Sequence, residues 1–329
     1  MKVLVTGASG FLGAAVASQL LAAGHAVTTL QRRPSRVAGA TDALGDVTDA
    51  AHVRRALAGT EAVVHLAAKV SLAGAVADFD RVNVGGTRLL LAEAQAAGVR
   101  RFVQVSSPSV AHLGASIMGE GTARADPAHA RGDYARTKAA AELLALDADT
   151  NGFAVVVVRP HLVWGPGDPQ LVGRIVQRAA KRRLPLLGSG AALIDSTYID
   201  NAVSAIVAAL SRAESVHGRS YVVTNGEPRP VAELLAGICI ASGVPAPSWR
   251  VPAALARTAG GVVEAVWRIR PGRDEPPMTR FLAEQLSTAH WFDQRSVRTD
   301  LQWTPSVTID EGFARLAEWS AADDFAPEG

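Results

Sequence analysis

The sequence has a single cysteine, Cys239, only three tyrosines, and lysine at just Lys2, Lys69, Lys138 and Lys181 in 329 residues. One cysteine excludes an internal disulfide and a cysteine metal cluster, which fits a reducing compartment. Cys239 lies in the apolar run 234–241 and reads as a buried structural thiol. Aromatics are 5% of the chain and the formal net charge is +2, so there is no basic stretch interleaved with aromatics to bind nucleic acid. Residues 1–6 already read as a strand, with no basic segment ahead of an apolar one, so no signal peptide is expected. The best membrane candidate, 251–267, is interrupted by Arg257 and Glu264 and is too short to span, so no transmembrane helix is expected. No His, Asp and Glu grouping has metal-ligand spacing, so no metal is expected. The setting these absences suggest is cytoplasmic, with peripheral attachment to a membrane left open.

The first half alternates short apolar runs with helical patterns. Residues 3–6, 26–30, 62–66, 101–106 and 153–158 read as strands, and 11–23, 50–58, 82–97 and 134–149 as helices. Such alternation implies an α/β fold, a Rossmann doubly wound parallel sheet covered on both faces. Past Pro160 prolines and glycines become frequent, as in Gly165-Pro166-Gly167. The expected organisation is a Rossmann domain at 1–160, a strand near 220–224 returning to its sheet, and a smaller C-terminal domain at 161–329 that mainly binds substrate.

Gly7, Gly10 and Gly13 sit between the first strand and the first helix. Glycine there allows positive φ and close approach to a phosphate, and the helix start offers free N–H groups and a positive dipole end. The spacing is GxxGxxG rather than GxGxxG, but it opens a βαβ unit, which points to a dinucleotide. The second strand ends on Gln31-Arg32-Arg33. An acid there would accept from a ribose 2′-hydroxyl; two guanidinium groups suit a 2′-phosphate instead, favouring NADP(H) over NAD(H). Asp46, in Asp46-Val47 after the third strand, could receive the adenine amino group or only cap a helix.

Tyr134 and Lys138 stand at i,i+4 on one helix face. Three tyrosines and four lysines give about 0.04 such pairs by chance, so the spacing is informative. A carbonyl that receives hydride also needs a proton. Tyrosine is a reluctant acid or base near neutral pH, and a neighbouring cation would lower its pKa. Ser107, after the strand 101–106, is placed to donate to the substrate oxygen; a plain turn or cap is the alternative for Ser106 and Ser107.

Together these residues resemble the extended short-chain dehydrogenase/reductase family. The resemblance rests on Thr6-Gly7-Ala8-Ser9-Gly10-Phe11-Leu12-Gly13, Asp46-Val47, His65-Leu66-Ala67-Ala68, Asn83-Val84-Gly85-Gly86-Thr87, Ser106-Ser107, Tyr134 with Lys138, and Arg159-Pro160. Residues 106–110, 159–169 and 197–201 look like its 3β-hydroxysteroid dehydrogenase branch. Residues 275–281 and 290–293 look most like the bacterial 2-alkyl-3-oxoalkanoate reductases of long-chain olefin biosynthesis. The resemblance implies Ser107, Tyr134 and Lys138 as the catalytic residues. It implies dinucleotide contacts from Ser9, Phe11, Leu12, Val47, Leu66, Ala67 and Ala68, with Pro160, His161 and Val163 near the nicotinamide. A homodimer is expected on resemblance alone.

The activity expected is NADP(H)-dependent ketoreduction of a small hydrophobic β-keto acid or 3-ketosteroid. A sugar-nucleotide epimerase or dehydratase is the alternative. It is weakened because Val110-Ala111-His112-Leu113-Gly114 lacks the tyrosine that the family often has near this point. A non-catalytic NADP(H) sensor would typically have lost the Tyr/Lys pair. His112 and His129 read as loop residues, and His161 as a cofactor or substrate contact or a structural histidine. The segment 251–269 reads as a core or interface helix, or as a greasy lid over the substrate.

Overall fold

The computed structural model describes residues 1–70, 75–112, 114–269 and 280–322. The resemblance at 275–281 falls almost wholly outside them.

Seven strands form one sheet in the order Arg219–Val223, Ala154–Pro160, Arg101–Val105, Ala62–His65, Lys2–Thr6, Ala26–Gln31 and Thr41–Leu44. All six pairings are parallel. The doubly wound sheet therefore forms as expected, and the late strand returns beside Ala154–Pro160. Strand residues alternate between faces, so Leu4, Val63, Phe102 and Val155 share one core with the helices Ala50–Ala56 and Gly86–Ala96. Val3, Val64, Val103 and Val156 point the other way, into a core with the helices Phe11–Ala22 and Ile199–Val216. Each fully buried valine contributes about 1.5–3 kcal/mol. Cys239 is buried in the second core, where the loss of hydration raises its thiol to about 11.

The chain order reverses between Lys2–Thr6 and Ala62–His65, which neighbour each other although a strand pair separates them in sequence. The crevice outside the carboxyl ends of such strands is where α/β sheets hold ligands.

The expected helix 82–97 is not one helix. Val76–Phe79 runs into a π-helical turn, Asp80–Gly85, and then into the α-helix Gly86–Ala96. The wider turn admits Asn83 to the interior, and Gly86 lies so close to Val47 that a Cβ would stand 2.9 Å from its Cγ1. π-turns recur at functional sites.

A second sheet, in the order Arg229–Pro230, Leu193–Ile194, His290–Phe292 and Ile117–Glu120, draws late and early segments together. The helix Ala253–Ile269 packs against Leu187 and Ala283 through Ala256. None of its described residues is among those that line the two cavities described below, and its packing through Ala256 is that of a core helix, one of the two readings of 251–269. No helix among the described residues is long and apolar enough to cross a membrane.

Candidate active site

A cleft of about 840 Å³ opens at the switch point. Gly7 begins it with φ +79°, and a Cβ there would lie 2.8 Å from the Ala67 amide. A Cβ on Gly13 would collide with the Gly7 carbonyl. Gly10 differs: the nearest protein atom to its would-be Cβ is 3.4 Å away, so the protein itself does not demand glycine. A phosphate group lying on the turn would.

A chain of hydrogen bonds holds this end of the cleft. The Thr6 hydroxyl accepts from the Leu66 and Ala67 amides at 3.2 and 3.1 Å, so its proton goes to His65 Nδ1 at 2.7 Å. His65 Nε2–H then donates to Thr87 Oγ1, whose hydroxyl donates to the Asn83 carbonyl. That assignment leaves His65 neutral. Burial, with the Lys138 charge as a lesser cause, agrees by pushing its pKa down to about 3. Asn83 accepts from the Lys69 amide at 2.7 Å and donates to Thr137 at 3.0 Å. Thr137 belongs to the helix Gly132–Asp147, which carries Tyr134 and Lys138. Asn83 and Thr87 had only a family resemblance in the sequence; the structure gives them this bracing role.

At the other end, Arg32 and Arg33 line the cleft and are exposed. The nearest strand acid, Asp42, is committed elsewhere. It accepts from Thr29 at 2.6 Å, from Gln31 at 2.9 Å and from the Ser35 amide. Those bonds, Thr29's foremost, hold its carboxyl below the usual range. Asp46 lines the cleft too. One of its oxygens closes a turn on the Thr48 amide and hydroxyl, while Asp49 caps the helix Ala50–Ala56. Among the described residues Gln31 Oε1 and Ser106 Oγ have no hydrogen-bond partner, and both residues line the cleft.

Tyr134 and Lys138 follow the turn at Gly132. Arg136 fastens their helix to the π-turn through a bidentate pair with Asp80 at 3.0 and 2.9 Å. Lys138 is buried, donates to the Val105 carbonyl at 2.6 Å, and has its pKa lowered to about 8 by burial, against the pull of Glu142. Glu142 is itself bound to Arg159, buried behind the helix. Burial raises Tyr134 to about 12. This differs from the sequence-based expectation of a phenol acidified by Lys138. The reason is that desolvation dominates at the ring while the ammonium is engaged by a carbonyl. Ser107 caps the 3₁₀ turn Pro108–Ala111, accepting from the Ser109 amide at 3.3 Å and hydroxyl at 3.0 Å. The turn role is thus real, yet an oxygen that accepts twice keeps its own proton to donate.

A second cavity, about 200 Å³, adjoins the first. Ser107, Tyr134 and Leu162 line both. Leu162 sits at the junction with φ +45°, a strained conformation for a branched residue. His161 lines only the small cavity, whereas Pro160 and Val163 on either side line the large one. His112 lies outside any helix or strand, as a loop residue, yet is buried there, edge-on to His290 with ring centroids 4.6 Å apart. His129 is exposed and bound to Asp126. Among the described residues no group of three His, Cys, Asp or Glu side chains could hold a metal.

Thus Gly7, Ser9, Gly10, Phe11, Leu12, Gly13, Arg32, Arg33, Asp46 and Val47 all face one cleft. So do Leu66, Ala67, Ala68, Ser107, Tyr134, Lys138, Pro160 and Val163. Lys69, Arg81 and Asp168 line it as well; Asp168 lay within the motif 159–169, with no role read for it. Of the small cavity, Gln285 carried no sequence signal, His290 lay within the motif 290–293 with no role, and His112 was read only as a loop residue.

The family described as "NAD dependent epimerase/dehydratase family" matches residues 3–224. A 2-alkyl-3-oxoalkanoate reductase from Stenotrophomonas maltophilia is 40% identical, over 98% of this chain and 100% of that protein. A 3-beta-hydroxysteroid dehydrogenase from Mycolicibacterium neoaurum is 29% identical, over 95% of this chain and 89% of its own. Among solved structures, the dTDP-glucose 4,6-dehydratase from Streptomyces venezuelae with NAD bound superposes with a TM-score of 0.75 at 25% identity, covering 98% of each chain. With the glycine turn, the Tyr/Lys helix and the switch-point cleft in place, the chain belongs to the NAD-dependent epimerase/dehydratase family, the extended short-chain dehydrogenases/reductases, as an NAD(P)-dependent oxidoreductase related to the 3β-hydroxysteroid dehydrogenases.

Proposed function

We propose that this protein is an NADPH-dependent ketoreductase of hydrophobic β-keto acids of the 2-alkyl-3-oxoalkanoate type. The observation that carries this reading is that Ser107 and Tyr134 line both cavities, so a carbonyl in the small one would meet the large one at these two side chains. The similarity to a 2-alkyl-3-oxoalkanoate reductase supports the substrate class. Arg32 and Arg33, with Asp42 committed to Thr29, Gln31 and Ser35, support the 2′-phosphate.

The turn at Gly7 and Gly10 would hold the pyrophosphate, and Lys138 would hold the nicotinamide ribose. The cofactor, when bound, supplies the hydride. Ser107 donates its free proton to the carbonyl oxygen and orients it. Tyr134 delivers the proton that becomes the product hydroxyl. A phenol raised to about 12 is held protonated, which suits the reducing direction. Lys138 stands one turn away to stabilise the phenolate left behind. Residues 1–160 thereby hold most of the cofactor. The substrate side draws on both halves, with Ser107, His112 and Tyr134 facing His161, His290 and Phe292.

Pocket chemistry disfavours a sugar nucleotide: among the described residues, no arginine or lysine lines the small cavity to meet a diphosphate. NADPH oxidation assayed against 3-keto acids, 3-ketosteroids and UDP-sugars tests the proposal. Turnover of the first group alone, with kcat/KM higher for NADPH than NADH, is the expected result; turnover of UDP-sugars alone would overturn it.

A further inference from the structure

The small cavity holds a feature that the reductase chemistry leaves unused. Three imidazoles meet there, His112, His161 and His290, among Pro108, Ile117 and Phe292. His161 and His290 lie edge-on with centroids 5.9 Å apart, and His161 abuts Phe292 at 5.3 Å.

The hydrogen bonds fix what His161 can offer. Its Nδ1 lies 2.7 Å from the Asp195 carbonyl oxygen. A carbonyl only accepts, so Nδ1 carries the hydrogen and Nε2 of the neutral ring is a bare acceptor. No partner for Nε2 occurs among the described residues, and the ring lines the cavity. His290 turns Nε2 to His112 at 2.9 Å and to Thr288 at 3.0 Å, and its Nδ1 is buried without a partner.

Burial also keeps these imidazoles neutral. Burial pushes His161 down to about 4 and His290 to about 3, and holds His112 below its ordinary value. The other titratable groups around the cluster do not supply a cation to the cavity. Tyr134 is neutral, the Asp195 carboxylate is turned to the Thr224 hydroxyl and the Glu227 amide, and Glu284 and Arg131 act on His112 with opposite sign. A carboxylate entering such a site alone would be a buried unpaired charge, costing several kcal/mol. The cost is met if a proton comes with it.

We infer that His161 is the carboxylate receiver of the substrate: the carboxylate binds at Nε2 together with one proton from solvent, held between ring nitrogen and carboxyl oxygen. This rests on the β-keto acid reading above. It assigns the acid group to His161, the ketone to Ser107 and Tyr134, and the alkyl chains to the apolar remainder. One proton is taken up on binding and one released with the product acid, so the hydride reaction itself is unchanged.

The test uses a 2-alkyl-3-hydroxyalkanoate, oxidised with NADP⁺, beside the secondary alcohol of the same chain without the carboxyl group. His161→Asn keeps a donor for the Asp195 carbonyl and removes only the cavity-facing nitrogen. His161→Gln places an amide near the Nε2 position that can donate but cannot titrate. In the wild type, the acid-over-alcohol ratio of kcat/KM should exceed one and fall up to about tenfold per pH unit above neutrality, through KM. His161→Asn should lose about 10–100-fold of that ratio, with the alcohol's kcat retained. His161→Gln should keep part of the ratio and lose its pH slope. Calorimetry with the redox-inert 2-alkylalkanoate in two buffers of different ionisation enthalpy should show about one proton taken up by the wild type and none by either variant. An unchanged ratio and slope in both variants, or no uptake in the wild type, would overturn the inference while the reductase stands. If neither alcohol turns over and 3-keto acids leave NADPH unoxidised, the reductase reading falls, and the calorimetry still decides the role of His161.

Discussion

The two cavities are built by opposite means. The large cleft is built on local chain features, a glycine turn, two strand ends and a helix start, braced by the Thr6–His65–Thr87–Asn83–Thr137 hydrogen bonds. Its cations are the exposed pair Arg32 and Arg33, Lys69, Arg81 and the buried Lys138. The small cavity gathers three imidazoles with Pro108, Ile117, Leu162 and Phe292, and joins residues 178 positions apart. The first geometry recognises a phosphate-bearing ligand by N–H groups and shape. The second must recognise its ligand by chemistry that varies freely without disturbing the sheet. Among the described residues only Ser107, Tyr134 and Leu162 belong to both, so a change there should uncouple the two sites rather than empty either one.

The largest effect should come from that junction. Tyr134→Phe keeps the ring and removes the proton donor, and should lower kcat about 10²–10⁴-fold. NADPH affinity, measured by fluorescence titration, should stay within a few-fold. A comparable loss of NADPH binding would mean that the phenol holds the cofactor and that the cavities are not separable at this residue.

The next effect isolates the large cleft. Gly13→Ala drives a methyl into the Gly7 carbonyl, and such overpacking costs about 1–3 kcal/mol. The turn must shift, so NADPH affinity should fall about tenfold or more. Binding of a 2-alkylalkanoate in the small cavity should be preserved, since the residues that line it are untouched. Equal loss of both ligands would show one coupled site.

The same contrast explains what the sequence made legible. Every cofactor-side motif is local: the glycines, Gln31-Arg32-Arg33, Asp46-Val47 and the Tyr134/Lys138 pair each lie within a turn or a helix. Their spacing follows from backbone geometry, and so does the parallel sheet from alternating apolar runs. His112, His161 and His290 carry no such spacing. They meet because the strand His290–Phe292 pairs with Ile117–Glu120, a contact that no local pattern encodes. The π-turn at Asp80–Gly85 was hidden for another reason. Its extra residue is set by where Asn83 must reach, and helix periodicity alone reads straight through it.

Lys138 offers a third measurement, on the large cleft alone. Burial lowers its folded pKa from 10.5 to about 8. Between those values the unfolded chain still holds a proton that the folded chain has released, so raising the pH should stabilise the wild type. Below about 8 both states are protonated and the penalty is complete and level. Against Lys138→Met, which lacks the charge in both states, the wild type should gain roughly 1–3 kcal/mol across this window, read as the change in unfolding free energy between paired denaturant curves. A gap that stays flat with pH would mean that the ammonium is better solvated than its contact with the Val105 carbonyl implies.

The smallest effect should come from the exposed arginines, because charges in water contribute little unless several act on one ligand group. Arg32→Ala with Arg33→Ala should raise the KM for NADPH about tenfold, equivalent to roughly 1.4 kcal/mol, and leave that for NADH nearly unchanged. Salt sharpens the assignment. Exposed guanidinium–phosphate attraction is screened as ionic strength rises. The wild-type preference for NADPH should therefore shrink in added salt, while the double variant shows no such dependence. A preference that survives both salt and the double substitution would move the 2′-phosphate away from these arginines, toward Arg81 or Lys69, which also line the cleft. The small cavity supplies the control: turnover of a carboxylate substrate at saturating NADPH should not respond to this pair, since neither arginine lines it.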